Sequence, residues 1–324
     1  ADINEVALQS HRLNMPEVSA WKIDLDGTSA DDLRKLARQL GVDPDNWRGV
    51  HLVTSPCQSF SPAGRQDPND PRGRLPLILV PLAEAFPKAT LLMEQVPGLL
   101  HMGKDGVPKF CELLDELTWG LRKAGRQFPD LDGLAQYKFW ASDVGLAQNR
   151  ERIILPIPPR GQGLPEPLRP SCKPLTLGEI LDPKRGWDDC DPECRSLTSN
   201  ERKNYQYVEE GKNLRDAVEE GGVPEAVAAY AKKIDGRKFS RCSLKKPANT
   251  ITKMTKMPSM LRLVHPTDLR CFSVGEVREI QGFPRDWVLA GDLYERYSQV
   301  GEAVPPQMIM RAAMAYVLGR YEAA

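Results

Sequence analysis

Short apolar runs alternate with longer amphipathic stretches through the first half of the chain. The runs at 49–54, 89–93, 138–141 and 152–157 predict strands. Stretches at 5–13, 30–40, 75–86 and 107–124 repeat apolar residues at helical spacing and predict helices. Strands separated by helices of this length point to an α/β fold with a parallel, doubly wound sheet. Such a sheet gathers its working residues at the carboxyl ends of its strands.

The alternation stops at Pro156-Ile157-Pro158-Pro159, and the chain stays rich in Pro and Gly to about residue 174, which reads as a linker. Residues 175–260 are charged and weakly periodic, as expected of a smaller, irregular domain with a surface role. Helical periodicity returns over 306–321, a segment expected to dock on the sheet.

Composition changes this picture little. The 324 residues carry 27% charged side chains and a formal net charge of zero, so global charge selects no partner. Local charge is more informative: residues 231–262 hold ten Lys or Arg against one acid, Asp235. A phosphate-contacting surface has this character, as do many solvated faces. No run is apolar enough to span a bilayer and no signal-peptide pattern opens the chain, so a cytoplasmic protein is expected. Seven irregularly spaced cysteines argue against a secreted disulfide framework.

Candidate chemistry begins at Pro56-Cys57-Gln58, which closes the first predicted strand and opens the loop Ser59-Phe60-Ser61. A thiol at a strand tip suits a nucleophile, while a buried structural cysteine is the alternative. Glu94 stands at a second strand end, and Ala141-Ser142-Asp143 at a third. Alternation of an extended chain places Gln148, Arg150 and Arg152 on one face. The histidines are His11, His51, His101 and His265, and none forms a dyad with Cys57: His51 shares its strand but lies too far along it. A cysteine working with a glutamic acid and arginines suits conjugate addition to a pyrimidine. The thiolate adds at C6, an acid protonates N3, C5 accepts an electrophilic methyl group, and loss of the C5 proton expels the thiol.

Five motifs then occur in order: Pro56-Cys57-Gln58, Glu94-Gln95-Val96-Pro97, Gln148-x-Arg150-x-Arg152, Gln281-Gly282-Phe283-Pro284 and Gln299-Val300-Gly301-x-Ala303-Val304-Pro305-Pro306. The series resembles the DNA (cytosine-5) methyltransferase family over almost the whole chain. Lesser matches are Ala141-Ser142-Asp143-x-Gly145, Pro247-x-x-Thr250-Ile251-Thr252, and His265-Pro266 with Arg270.

The resemblance implies a Rossmann-like sheet of the S-adenosylmethionine-dependent methyltransferase kind with a smaller target-recognition domain. It divides the chain into a catalytic domain over 1–160, a recognition domain over 161–290 and a returning segment over 291–324. Cys57 would be the nucleophile and Glu94 the group at N3 of the cytosine. Arg150 and Arg152 would hold the base and the active-site loop, Arg152 being the expected contact to O2. Asp2 would take the cofactor ribose, Ile3 would pack on adenine and Asp24 would sit near its amino group. Glu302, where the family usually has Asn, and Ala303 would lie at the cofactor's amino-acid end.

Gln58, Ser61, Gln148, Lys245, Lys246, Lys253 and Lys256 would contact DNA. The target base would be flipped out of the duplex, since C6 is unreachable inside the stack. Double-stranded DNA is the implied partner, a cognate restriction endonuclease a second, and a monomer the implied state. An inactive DNA-binding member and a tRNA cytosine-5 methyltransferase are the alternatives.

Two departures stand out. The family opens with a strand and a Phe-x-Gly-x-Gly turn, of which roughly 25 to 35 residues would precede Asp2. Gly161-Gln162-Gly163 runs into prolines with no helix and does not replace it. A piece of a longer protein is the expectation, with a split enzyme as the alternative. Cys190 and Cys194 have zinc-ligand spacing, but Cys172 and Cys242 lie at irregular distances, so no metal is expected.

Overall fold

The computed structural model describes residues 1–61, 66–104, 106–182, 192–234, 236, 239–253 and 264–317. The chain forms two compact units. The sheet unit holds Leu25–Trp140, Glu151–Pro170 and the chain from Ile309 on. The second unit holds Ala1–Asp24, Ala141–Arg150 and Ser171–Met308.

Strands β1 (Val50–Thr54), β2 (Thr90–Gln95), β3 (Lys138–Trp140) and β5 (Glu151–Ile157) form one sheet in the order β1-β2-β5-β3. β1 and β2 are parallel, with Val50 opposite Thr90 and Thr54 opposite Glu94. β5 runs antiparallel to both β2 and β3. The sheet is therefore mixed, where the alternation of elements predicts a parallel one. The reason lies in the connection: a parallel crossover needs about a dozen residues or more, and only residues 141–150 separate β3 from β5.

The central strands are buried on both faces. Leu91, Leu92 and Met93 of β2 and Ile153, Ile154 and Leu155 of β5 are fully buried, so these strands read as continuous apolar runs. Helix α2 (Ala30–Gln39) starts at a capping box in which Ser29 and Asp32 satisfy each other's backbone N–H groups. The helix predicted over 75–86 is instead a 3₁₀ segment, Pro71–Ile78, leading into α3 (Leu79–Ala85). Pro76 lacks the N–H that a regular turn would use there. Helix α4 (Cys111–Lys123) begins later than predicted, because Met102 and Pro108 pair across a hairpin first. At the chain's end the helix Pro306–Tyr316 sets Tyr316 against the sheet's core, where its hydroxyl accepts from Leu168 N.

In the second unit β4 (Gln148–Asn149) pairs in parallel with β6 (Ala248–Asn249). Phe272, Val277, Ile280, Tyr297 and Val300 pack around the helices Val274–Ile280 and Leu293–Glu302. A further cluster centres on Tyr205, Leu214, Val227 and Phe239. The weak periodicity of 175–260 follows from short helices, among them Leu177–Ile180, Ser199–Tyr205, Leu214–Glu220 and Glu225–Lys233. Each is too brief for a hydrophobic stripe to register. No helix among the described residues is long and apolar enough to cross a membrane.

A buried arginine and a half-buried histidine brace the sheet unit. Arg126 is almost fully buried and donates to the carbonyls of Ala89 (2.7 Å), Phe86 (2.7 Å) and Pro158. Burial without a carboxylate pushes its pKa down to about 10. His51 lies between Trp47 (ring centroids 4.5 Å apart) and Phe86 (4.3 Å). Burial first, and the Arg126 charge second, push the imidazole down to about 4.

His51 is thus neutral in the folded protein at pH values where the unfolded chain protonates it. Its contribution is complete above about pH 6.5 and is lost as pH falls toward 4. Denaturant titrations between these limits should show stability falling by up to about 3 kcal/mol from this residue, with a flatter acid limb in His51→Leu.

Candidate active site

The loop carrying Cys57 is fixed from three sides within the sheet unit. The Cys57 carbonyl accepts from Phe60 N (3.1 Å) and Ser61 N (2.9 Å), so the chain turns directly after the thiol. Phe60 is fully buried and meets Phe110 edge-on, with ring centroids 4.8 Å apart. Before the thiol, the Gln95 side chain donates to Ser55 O (3.3 Å) and accepts from Val96 N (2.9 Å). Gln58 accepts from Arg72, whose other donors hold Asp70 at 2.6 Å. Cys57 itself is half-buried.

Glu94 lies within β2, not at its end, and is 5% exposed. Its register partner on β5 is Ile154, and the diagonal neighbour on the same face is Arg152. Arg152 Nε stands 2.8 Å from Glu94 Oε1. Nη1 of Arg152 donates to Glu151 O (2.7 Å), while its Nη2 donates to no group among the described residues. A carboxylate buried this deeply needs a counter-charge, and β5 brings one at Arg152, diagonally across from Glu94.

The second unit contains a polar hub built on Arg150. This side chain, 2% exposed, donates to the carbonyls of Ile251, Gly301 (3.3 and 3.4 Å) and Ala303 (2.9 Å). Gln148 is fully buried, donates to Gln281 Oε1 (2.6 Å) and accepts from Ile251 N (2.8 Å). Gln281 donates in turn to Ala303 O (2.6 Å). At Gly301 an added Cβ would lie 2.1 Å from the Thr252 carbonyl carbon, so two backbones touch where only glycine fits. The hub gathers motifs that are far apart in sequence. Gln95, Gln281 and Gly301 gain roles that the sequence left unassigned, although each sits inside a motif.

Cys57, Gln58, Ser61, Glu94 and Arg152 belong to the sheet unit; the remaining described candidates belong to the second unit. There Asp2 bridges Lys22 in parallel and Ile23 N donates to Asp2 O, which brings residues 2–3 alongside 21–24. Ile3 is 66% exposed and Trp21 is also exposed. Glu302 lies 3.3 Å from Lys253, so residues expected at the cofactor and at DNA pair with each other. Lys245 and Lys246 are exposed. Lys256 and Cys190 lie outside the described residues. Among the described residues no cysteine forms a disulfide and no cluster could hold a metal ion. Burial pushes the Cys242 thiol up to about 12, which keeps it protonated.

Residues 50–317 match the family described as C-5 cytosine-specific DNA methylase. The chain belongs to this family. It is 26% identical over 316 residues to the type II methyltransferase M1.HphI of Haemophilus parahaemolyticus, covering 94% of this chain and 76% of that protein. It is 27% identical over 318 residues to the type II methyltransferase M.NgoMIV of Neisseria gonorrhoeae, covering 94% and 85%. Among solved structures it resembles the S. pombe Dnmt2 methyltransferase, with a TM-score of 0.58, 14% identity and coverage of 98% and 90%. The Entamoeba histolytica methyltransferase EhMeth gives a TM-score of 0.57, 17% identity and coverage of 99% and 89%. At these identities the two structures establish a shared fold.

The family's methyl donor is S-adenosyl-L-methionine, and the bridged segment fits its adenosine part. Asp2 and Asp24 offer carboxylates for hydroxyl and amino groups, and exposed Ile3 and Trp21 offer apolar cover for a base.

Replacing Gln95 by Leu should leave the turn before Cys57 untethered. Limited proteolysis should then cut faster between residues 55 and 61, with stability lowered by about 1–3 kcal/mol. Gly301→Ala should lower the melting temperature more strongly, since the displaced neighbour is backbone.

Proposed function

We propose that this chain methylates C5 of cytosine in duplex DNA, as the modifying partner of a type II restriction system. The observation that carries this reading is the buried Glu94–Arg152 pair, Glu94 lying on the strand that adjoins the Cys57 strand, with Thr54 opposite it in register. Family membership supplies the reaction class.

In this reading the duplex yields its target cytosine by base flipping. Glu94 takes up a proton as the base binds; the Cys57 thiolate then adds to C6 as the Glu94 carboxyl passes that proton to N3, which makes C5 nucleophilic and leaves Glu94 as the carboxylate beside Arg152. Arg152 orients the Glu94 carboxylate through Nε and keeps Nη2 available for the cytosine O2. Arg150 acts through backbone, holding Ile251, Gly301 and Ala303 in place. S-adenosyl-L-methionine, when bound, supplies an electrophilic methyl group at C5, held by Asp2, Ile3 and Asp24, with Glu302 and Ala303 toward its amino-acid end. Lys253 balances the Glu302 charge there. Loss of the C5 proton then lets Cys57 leave from C6. Residues 161–290 serve target recognition, residues 291–324 return to the catalytic part, and a cytoplasmic monomer suffices for this work.

A cofactor-independent test isolates the role of Cys57. Addition at C6 also allows C5 to take a proton from water and lose its own hydrogen. The full-length protein, mixed with duplex DNA tritiated at cytosine C5, should release tritium into water without a methyl donor. Cys57→Ala should abolish the release, and Glu94→Gln should slow it by about 100-fold. Intact DNA binding with no release would sink the enzymatic reading in favour of a non-catalytic DNA-binding protein. Release from tritiated tRNA and none from duplex DNA would move the substrate to RNA.

A further inference from the structure

We propose that Arg72 is a positioning residue for the methylation reaction: held by Asp70, it fixes the Gln58 side chain so that its amide NH2 serves DNA as a hydrogen-bond donor. The inference rests on the reading of duplex DNA as substrate and adds two residues, Asp70 and Arg72, to which that reading gives no part. All three residues lie in the sheet unit.

The chain beyond the nucleophile returns to it over residues 66–73. Gln66, at φ +50°, a conformation that few residues other than glycine adopt, donates through Nε2 to Phe60 O (3.2 Å). Gly73 is buried, and a Cβ added there would stand 3.2 Å from Ser59 Cβ. Arg72 Nη1 donates to Gln58 Oε1. The three residues that follow Cys57 are thus each met by one residue of the returning segment.

Asp70 holds the arginine in place. Its Oδ1 accepts from Arg72 N (3.0 Å) and Nε (2.9 Å), and its Oδ2 accepts from Nη2 (2.6 Å). Two side-chain donors on two carboxylate oxygens fix the plane of the guanidinium as well as its position. Asp70 is also the N-cap of the 3₁₀ segment Pro71–Ile78, and its side chain is only 18% exposed, so the fork is anchored to backbone. With Nε and Nη2 committed there, Nη1 is the end that reaches Gln58.

The consequence follows from the chemistry of the two groups. A guanidinium has donors and no acceptor. Arg72 can therefore take only the oxygen of the Gln58 amide, which settles which way that amide lies. The nitrogen end then presents two N–H donors, and it donates to no group among the described residues. A glutamine free to turn offers either end to a ligand, whereas this one offers donors alone. Phosphate oxygens are the acceptors that a DNA backbone presents. Gln58 directly follows the nucleophile, so its donors address the phosphate of the nucleotide whose base Cys57 attacks.

The test reads tritium release from duplex DNA labelled at cytosine C5, using the full-length protein as Arg72→Leu, Gln58→Leu, their double variant and Gln58→Glu. Arg72→Leu and Gln58→Leu should each lower kcat/KM for release about tenfold, chiefly through KM, because the bond to DNA forms on binding. Since Arg72 acts through Gln58, the double variant should lose no more than Gln58→Leu alone. Gln58→Glu keeps an acceptor for Arg72 but has no NH2, and it should lose at least as much as Gln58→Leu. All four variants should melt with the wild-type protein. If Arg72→Leu melts lower, Gln58→Glu decides the matter, since it retains the contact to Arg72. Losses that multiply in the double variant, or wild-type release by Gln58→Glu or Gln58→Leu, overturn this inference alone. Absence of release from duplex DNA by the wild-type protein overturns the function proposed above, and this inference with it.

Discussion

A carboxylate inside a sheet of leucine and isoleucine is tolerable only beside a positive charge, and Glu94 obtains one from Arg152 at 2.8 Å. Much of the sheet unit can be read as the means of meeting that requirement. Glu94 needs a neighbouring strand whose side chains reach the same face, so Arg152 has to come from a diagonal position on β5. The pair is also strongly asymmetric in sequence terms. One partner lies on a buried strand paired in parallel with β1, and the other enters from a strand running the opposite way. Removing Glu94 would leave the Arg152 guanidinium buried without the carboxylate it faces.

Arg126, Arg150 and Arg152, three of the buried arginines, show how differently one guanidinium can be satisfied. Arg126 and Arg150 bind main-chain carbonyls and act as rivets between backbone segments. Their flat, multi-donor geometry suits this use, and a lysine could not span the same set of acceptors. Arg152 instead faces a carboxylate, and among the described residues its Nη2 has no acceptor. Gln148 and Gln281 extend the Arg150 rivet with amides bonded at both ends, so none of this hub depends on solvent.

Sequence made the framework legible where one residue suffices to define a position. Cys57 and Glu94 could be found because each follows or ends an apolar run and sits in a motif with unusual neighbours. The strand and helix positions were legible for the same reason, since burial imposes a period. The antiparallel course of β5 was not legible, because an apolar strand reads the same in both directions and only the short connection from β3 decides it. The two ends of the Lys253–Glu302 pair are 49 positions apart in the sequence, and charge alone names no partner over such a distance. His51 looked like a lone strand histidine. Its neutrality depends on Trp47 and Phe86, whose proximity is a tertiary fact. Arg150 and Arg152 looked alike in the sequence and are held in opposite ways, because the chain passes from the second unit into the sheet unit between them: Arg150 meets main-chain carbonyls and Arg152, on β5, meets Glu94.

The contact at Gly301 bears on how such proteins can be recombined. Its backbone rests directly against Thr252 and Lys253, with no room for even a methyl group between them. Gln148 and Arg150 clasp Ile251 from the other side. A chimera that exchanged the stretch leading up to this joint for that of a relative would therefore have to place its downstream seam before Pro247. Cutting after Lys253 would import a foreign backbone into a joint fitted to this one, and the graft would fail mechanically.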